Sequence, residues 1–246
     1  MKLAHLNLEH PLDFSNAEIQ TLILESPQFF LDFVFELKQQ SEGQVGRFVL
    51  SSQDKNLDID DYVEILTSPF EVSLNSKKIQ NLITKQLQQV SQMSNFQKQF
   101  EDMANQINLY LKDLSSEIDL PIKVGEYSNE NLIKNATFTV EQDNSFYENL
   151  VNYINCLLEL TKVKLLVMVN FKNFIPKENS EEFLKFLEYT NLKVLFVESI
   201  ELQTAFATPQ TIIIDNDLCE IIKTATQHKP PFPLKKIKTY KIKLTK

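Results

Sequence analysis

The chain has 246 residues, a net charge of −8, two cysteines and three glycines. That length can bury a substantial core, and no apolar run approaches the roughly 18 residues of a membrane-spanning helix. With only Gly43, Gly46 and Gly125 available, the sequence excludes a GxxxxGK[ST] phosphate loop, a GxGxxG dinucleotide fingerprint and a GxSxG nucleophile elbow. The N-terminal MKLAHLNLEHPLDF has no apolar h-region and no small-residue cleavage site, so it does not read as a signal peptide. Cys156 and Cys219 read as reduced core thiols of a cytoplasmic protein. None of His5, His10 and His228 has metal-ligand spacing to them.

In chain order, residues 3–8 alternate apolar and polar as a half-buried strand does, and Pro11 ends it. Ile19–Ser26 is a second strand with Glu25 at its end. Ser26 is placed to cap the helix that opens with Pro27. That helix offers Phe29, Phe30, Phe33, Phe35 and Leu37 to a core. A turn over SEGQVG leads to a short strand over Arg47–Leu50. Asp54, Asn56 and Asp58 alternate as at the start of an EF-hand loop, but Ile59 and Ile65 occupy its glycine and bidentate-glutamate positions. The segment reads instead as an acidic loop leading into an amphipathic stretch around Tyr62, Ile65 and Leu66.

From Ser76 to about Leu114 apolar residues recur in steps of three and four. The pattern predicts one long amphipathic helix, or two in succession broken near Ser94 and Asn95. It serves either as a protruding arm that packs on a partner or as a hairpin lying on the body. Glu117, Asp119, Glu126 and Glu130 follow around Pro121, either as a hard-cation loop or as a solvated acidic loop. Phe138–Gln142 is a strand or an extended link, and Ser145–Thr161 is a helix.

The densest signal runs from Lys164 to Ser199. Leu165–Val169 and Val194–Val197 are short, unbroken apolar runs, as expected of strands buried on both faces. Between them Asn179 is the predicted N-cap, with Glu182 reaching back to it. Phe183, Leu184 and Leu187 form a stripe that Asn191 ends. Strand, helix, strand is a βαβ unit, so the predicted fold class is α/β, with helices on a parallel or mixed sheet. In such sheets ligands gather at the carboxyl ends of the strands, here Asn170 and Glu198. Those two are either a magnesium-holding pair or, for Asn170, a turn former. Pro209–Asp217 gives a further buried strand followed by Asp215 and Asp217. After Glu220 there are eight lysines and no acid, leaving about −16 on the preceding part. In that tail Pro230, Pro231 and Pro233 form a spacer. Tyr240, Ile242 and Leu244 then alternate with lysines, as an edge strand, a phosphate-binding arm or a solubilising tail.

Three motifs together resemble a known family: Val169-Asn170 at a strand end, Thr190-Asn191-Leu192 after the helix, and Val194-Leu195-Phe196 with Glu198. TLILES followed by an aromatic helix adds to the likeness. The chain is similar to the ring-forming CRISPR-associated proteins of type II-A systems, which act in spacer acquisition without being enzymes. The resemblance implies a head related to nucleotide-binding folds but lacking a phosphate loop, with an inserted α-helical leg. On this sequence the head is 1–70 and 143–246, and the leg is 71–142. It further implies a homotetrameric ring around double-stranded DNA ends, with CRISPR integrase and effector nuclease proteins as partners, and calcium at the leg contacts. Glu117 and Asp119 match the start of the family's acidic stretch, and Glu126 is the nearest substitute for the carboxylates that Pro121, Lys123 and Val124 replace. The expected DNA contacts are Lys77, Lys78, Lys85 and Lys98 on the leg, and Lys134, Lys162, Lys164 and Lys172 on the head. Two other readings stand beside this one. One is a protein-interaction scaffold of the adaptation complex without DNA affinity. The other is a degenerate nucleotide hydrolase using Glu25, Asn170 and Glu198.

Overall fold

The computed structural model describes residues 1–53, 55–143, 145–201 and 207–224, so the lysine-rich tail lies outside the described residues. The chain begins with a small antiparallel pair, β1 (Lys2–Ala4) and β2 (Leu12–Asp13), in which Leu3 faces Leu12. The strand expected over 3–8 stops at Ala4, because Leu8 N–H donates to His5 O at 3.1 Å and turns the chain. β3 (Ile19–Leu24) follows, buried at every residue. Glu25 and Ser26 then connect it to α1 (Pro27–Ser41), where Ser26 Oγ accepts from Phe29 N–H at 3.4 Å. Phe29, Phe33 and Leu37 are buried, one turn apart along one face. Phe35 lies about 200° around the helix from Phe33 and is 60% exposed, so it is not part of the core as expected.

β4 (Val49–Ser52) and β5 (Lys55–Leu57) complete a four-stranded antiparallel sheet in the order β2-β1-β4-β5. A single turn, α2 (Ile59–Tyr62), delivers the chain to β6 (Val63–Leu66). The amphipathic stretch expected there is therefore split, its second half being a fully buried strand. The segment expected as the leg follows as α3 (Lys77–Ser91), α4 (Ser94–Ser116) and α5 (Asn129–Asn135), and the break expected near Ser94 and Asn95 falls at Gln92–Met93. Residues 138–142 form no strand. Instead the Asn75 side chain stands in for a neighbouring strand, its Nδ2 donating to Val140 O at 3.1 Å and its Oδ1 accepting from Val140 N–H at 2.9 Å.

The remaining elements are α6 (Phe146–Leu160), β7 (Leu165–Val169), α7 (Lys177–Tyr189), β8 (Lys193–Glu198), β9 (Gln210–Ile214) and β10 (Glu220–Thr224). α7 begins two residues before Asn179, so the expected Asn179 cap is not formed. Pro176, extended at φ −56° and ψ 144°, precedes the first turn, and Asn179 N–H donates to Pro176 O at 2.9 Å. The large sheet runs β10-β9-β3-β8-β7-β6, parallel except for the antiparallel edge strand β10. Both faces are covered, which explains the unbroken apolar runs. Leu165, Val167 and Val169 pack with α1 and the small sheet, while Leu166 and Met168 pack with α6 and α7. Each such Leu or Val contributes roughly 1.5–3 kcal/mol by leaving water. Ile79, Leu82 and Ile83 root α3 on the α6 side of this core.

Candidate functional site

In α/β sheets ligand chemistry gathers at the strand ends. Asn170 adopts φ +55°, a left-handed backbone that Asn tolerates better than other residues carrying a side chain. Its N–H donates to Val197 O at 2.8 Å, and its Oδ1 accepts from Ser199 N–H at 3.2 Å. Asn170 thus closes the ends of β7 and β8 as a turn former. Glu198 is 2% exposed and accepts from Lys172 N–H at 3.2 Å. Burial pushes its carboxyl up to about 7, against the backbone N–H groups and the Lys172 ammonium that favour the charged form. Burial likewise lowers Lys172, whose Nζ sits 5.8 Å from the Phe196 ring centre. Glu198 is therefore enclosed by the segment between β7 and α7. At the end of β3, where a phosphate cradle belongs in a nucleotide fold, only Glu25 and Ser26 intervene before Pro27. Pro27 lacks an N–H, and Ser26 is occupied in capping.

The eight expected DNA-contacting lysines fall into three groups. Lys77 and Lys85 on α3, Lys98 on α4 and Lys164 before β7 are exposed and make no ion pair among the described residues. Lys164 lies over the Tyr62 ring, 5.1 Å from its centre. Lys78, Lys134 and Lys162 are committed to partners. Lys134 pairs with Glu130 and Lys162 with Asp61, each at 3.3 Å. Lys78 pairs with the buried Glu64, which also accepts from Tyr153 O–H at 3.1 Å, tying α3 to β6 and α6. Burial, with Glu64 beside it, raises the Tyr153 hydroxyl well above the ordinary range. Lys172 makes up the third group: at 9% exposure it is not a surface phosphate contact, contrary to expectation.

Glu117, Asp119 and Glu126 are all exposed. Between the first two and Glu126, Leu120 N–H donates to Ile118 O at 2.7 Å and Ile122 N–H to Leu120 O at 2.8 Å, two successive tight turns, and no ligating atoms of the three come together. The three carboxylates accordingly do not converge within one chain. Among the described residues, the group of metal-ligating side chains that does converge is Glu9, His10 and Glu220. Sequence reading missed it because 210 positions separate its halves.

The leg presents one further feature. α4 is 23 residues long and buries only Ala104. Met93 precedes it, and Phe96, Met103, Leu109, Tyr110 and Leu114 lie along it, all between 41% and 63% exposed. An open pocket of about 570 Å³ lies where α3, α4 and the start of α5 meet, lined by Lys85, Gln89, Gln92, Phe100, Glu101 and Glu130 among others.

The sequence profile of a family described as CRISPR-associated protein (Cas_Csn2) matches residues 40–218. No curated protein matches the chain. Among solved structures, the crystal structure of Stu0660 of Streptococcus thermophilus is similar at a TM-score of 0.58 and 13% identity, covering 92% of this chain and 76% of that one. The structural likeness speaks to the fold, and it extends beyond the profile at both ends. The match spans well over half of the sequence, from the end of α1 through the whole leg to the turn after β9, and the chain therefore belongs to the CRISPR-associated Cas_Csn2 family.

Proposed function

We propose that this chain is a non-catalytic, double-stranded-DNA-binding protein that assembles as a homotetrameric ring and threads DNA ends. In this reading it serves new-spacer acquisition in type II-A CRISPR immunity beside integrase and effector nuclease proteins. The observation that carries the reading is α4: an amphipathic helix whose apolar residues face water, next to open lysines on α3 and on α4 itself. Apolar surface of this kind marks an interaction face, and further copies of the chain cover it in a ring. A closed ring also accounts for lysine on an acidic protein, since phosphate-facing ammonium groups line the hole while the acidic surface faces outward. The two-residue, proline-ended connection between β3 and α1 supports a head that does no phosphate chemistry. Calcium takes six to eight oxygens. One chain does not gather Glu117, Asp119 and Glu126, so calcium is proposed only between copies.

The test is a gel-shift comparison of linear and covalently closed circular duplexes, over a salt series and with and without calcium. Binding to linear DNA alone, weakened by salt, is the expected result. Equal binding to both forms would replace the ring with a generic basic surface, and no binding to either at low salt would leave the protein-interaction scaffold. ATP turnover lost in Glu198→Gln would revive the hydrolase.

A further inference from the structure

Among the described residues, one set of ligating side chains converges, and it does not include Glu117, Asp119 or Glu126. Glu9 and His10 sit in the loop between β1 and β2, and Glu220 begins β10. One ligand atom from each lies within 4.8 Å of the other two. His10 Nδ1 and Glu220 Oε1 are 3.5 Å apart. Two ligands on a tetrahedral zinc, each about 2.0–2.1 Å from the metal, stand about 3.4 Å apart. That pair therefore already has the spacing of two corners of a zinc tetrahedron.

A second observation concerns Glu220 itself. Its side chain is only 6% exposed, yet among the described residues its only ion-pair partner is His10. Oε2 accepts from His10 N–H at 3.3 Å, which fixes the carboxylate plane, while Oε1 has no hydrogen bond among those described and faces the imidazole. A largely enclosed carboxylate that meets no lysine or arginine among the described residues is suited to receiving a cation. A backbone N–H on the second oxygen is the outer-shell support that orients a ligating carboxylate.

We propose that Glu9, His10 and Glu220 form a divalent transition-metal site, with zinc the best-matched ion. One imidazole nitrogen and carboxylate oxygens suit a borderline ion with a water in the fourth position. Calcium, which needs six to eight oxygens, is a poor match. The metal joins the loop of the small sheet to the edge strand of the large one. Among the described residues β10 pairs with β9 alone, Ile221 to Thr224 are all exposed, and its other tie is the surface ion pair of Lys223 with Glu201. The lysine-rich segment of the sequence begins directly after it.

The test uses the full-length chain, stripped with chelator and titrated with Zn²⁺, then with Co²⁺ as a spectroscopic probe. The expected result is one ion per chain, a tetrahedral cobalt absorption band, and slower amide exchange over Ile221–Thr224 when metal is bound. His10→Ala, at a side chain 67% exposed, and Glu220→Gln are checked for folding by circular dichroism. Each should weaken zinc by more than the about 10–100-fold that loss of an outer-shell partner costs. Cys219→Ser and the pair Glu117→Gln with Asp119→Asn should bind as the parent does. Absence of stoichiometric binding, binding unchanged in His10→Ala and Glu220→Gln, or loss in Cys219→Ser would each overturn the site.

Discussion

Glu198 shows what burial does to one carboxyl. It titrates at about 7 against an ordinary 4.5. Between those values the folded chain holds a proton that the unfolded chain has released, so stability falls as pH rises through that window. Glu198→Gln removes the titration. Urea denaturation from pH 4.5 to 7 should then show a flatter pH dependence, and the parent's excess stability at the acid end should disappear. Lys78 illustrates a different case, an exposed ammonium held in place by a buried carboxylate. Lys78→Met leaves Glu64 buried with only the Tyr153 hydroxyl, and should cost about 1–2 kcal/mol in denaturation, since the ammonium end of the pair is open to solvent. Lys85→Met should stay within about 0.5 kcal/mol, as surface changes do. Nothing in the local sequence separates Lys77 from Lys78. The difference arises because β6, fourteen residues earlier, places Glu64 beneath one of them. The glutamine and asparagine at 20 and 170 were similarly illegible in part. Asn170 could be read as a turn former, but the Gln20 amide, buried and donating to Asp13 O and Ala17 O, gives no sign in sequence.

At the scale of elements, legibility followed length and period. β7, α7 and β8 could be read because each strand is buried on both faces and the helix carries a clear stripe. α3 and α4 could be read for the same reason, including their break. β6 could not: four residues with Glu64 among them match a helical stripe as well as a strand, and only pairing with β7 decides it. β10 was missed because its residues are mostly exposed and it lies at the sheet edge, paired with β9. The helical start at Lys177 was misplaced because Asn179 and Glu182 match a capping box, while Pro176 ends the extended chain earlier. For α4 the exposed stripe yields a prediction of its own. Phe96→Asp with Leu114→Asp should leave the unfolding free energy of the single chain within about 0.5 kcal/mol, yet sedimentation should shift from the assembled species to the monomer. Ala104→Asp, at a buried position, should instead destabilise the leg.

For the whole molecule, composition alone conveyed the acidic balance but not its distribution. Folding leaves Lys77, Lys85, Lys98 and Lys164 open while pairing or burying the other four candidates. If the open leg lysines face phosphates, replacing Lys77, Lys85 and Lys98 by Gln together flattens the salt dependence of DNA binding by about 0.9 in log–log slope for each phosphate no longer neutralised. Replacing Lys134 and Lys162 leaves the slope unchanged. Fluorescence anisotropy over a salt series measures both, and a slope unmoved by the triple variant would place the DNA elsewhere on the chain.

The two hydrogen bonds between Asn75 and Val140 hold together the start of α3 and the approach to α6, 65 positions apart. Once those ends are fixed, lengthening what lies between them is cheap: doubling a loop costs only about 0.6 kcal/mol in closure entropy. In evolutionary terms, the leg is a segment whose size can drift while the head keeps its stability. Whole turns can be gained or lost beyond Ile83 without disturbing a strand of the sheet, so the reach of α3 and α4 is set independently of the core.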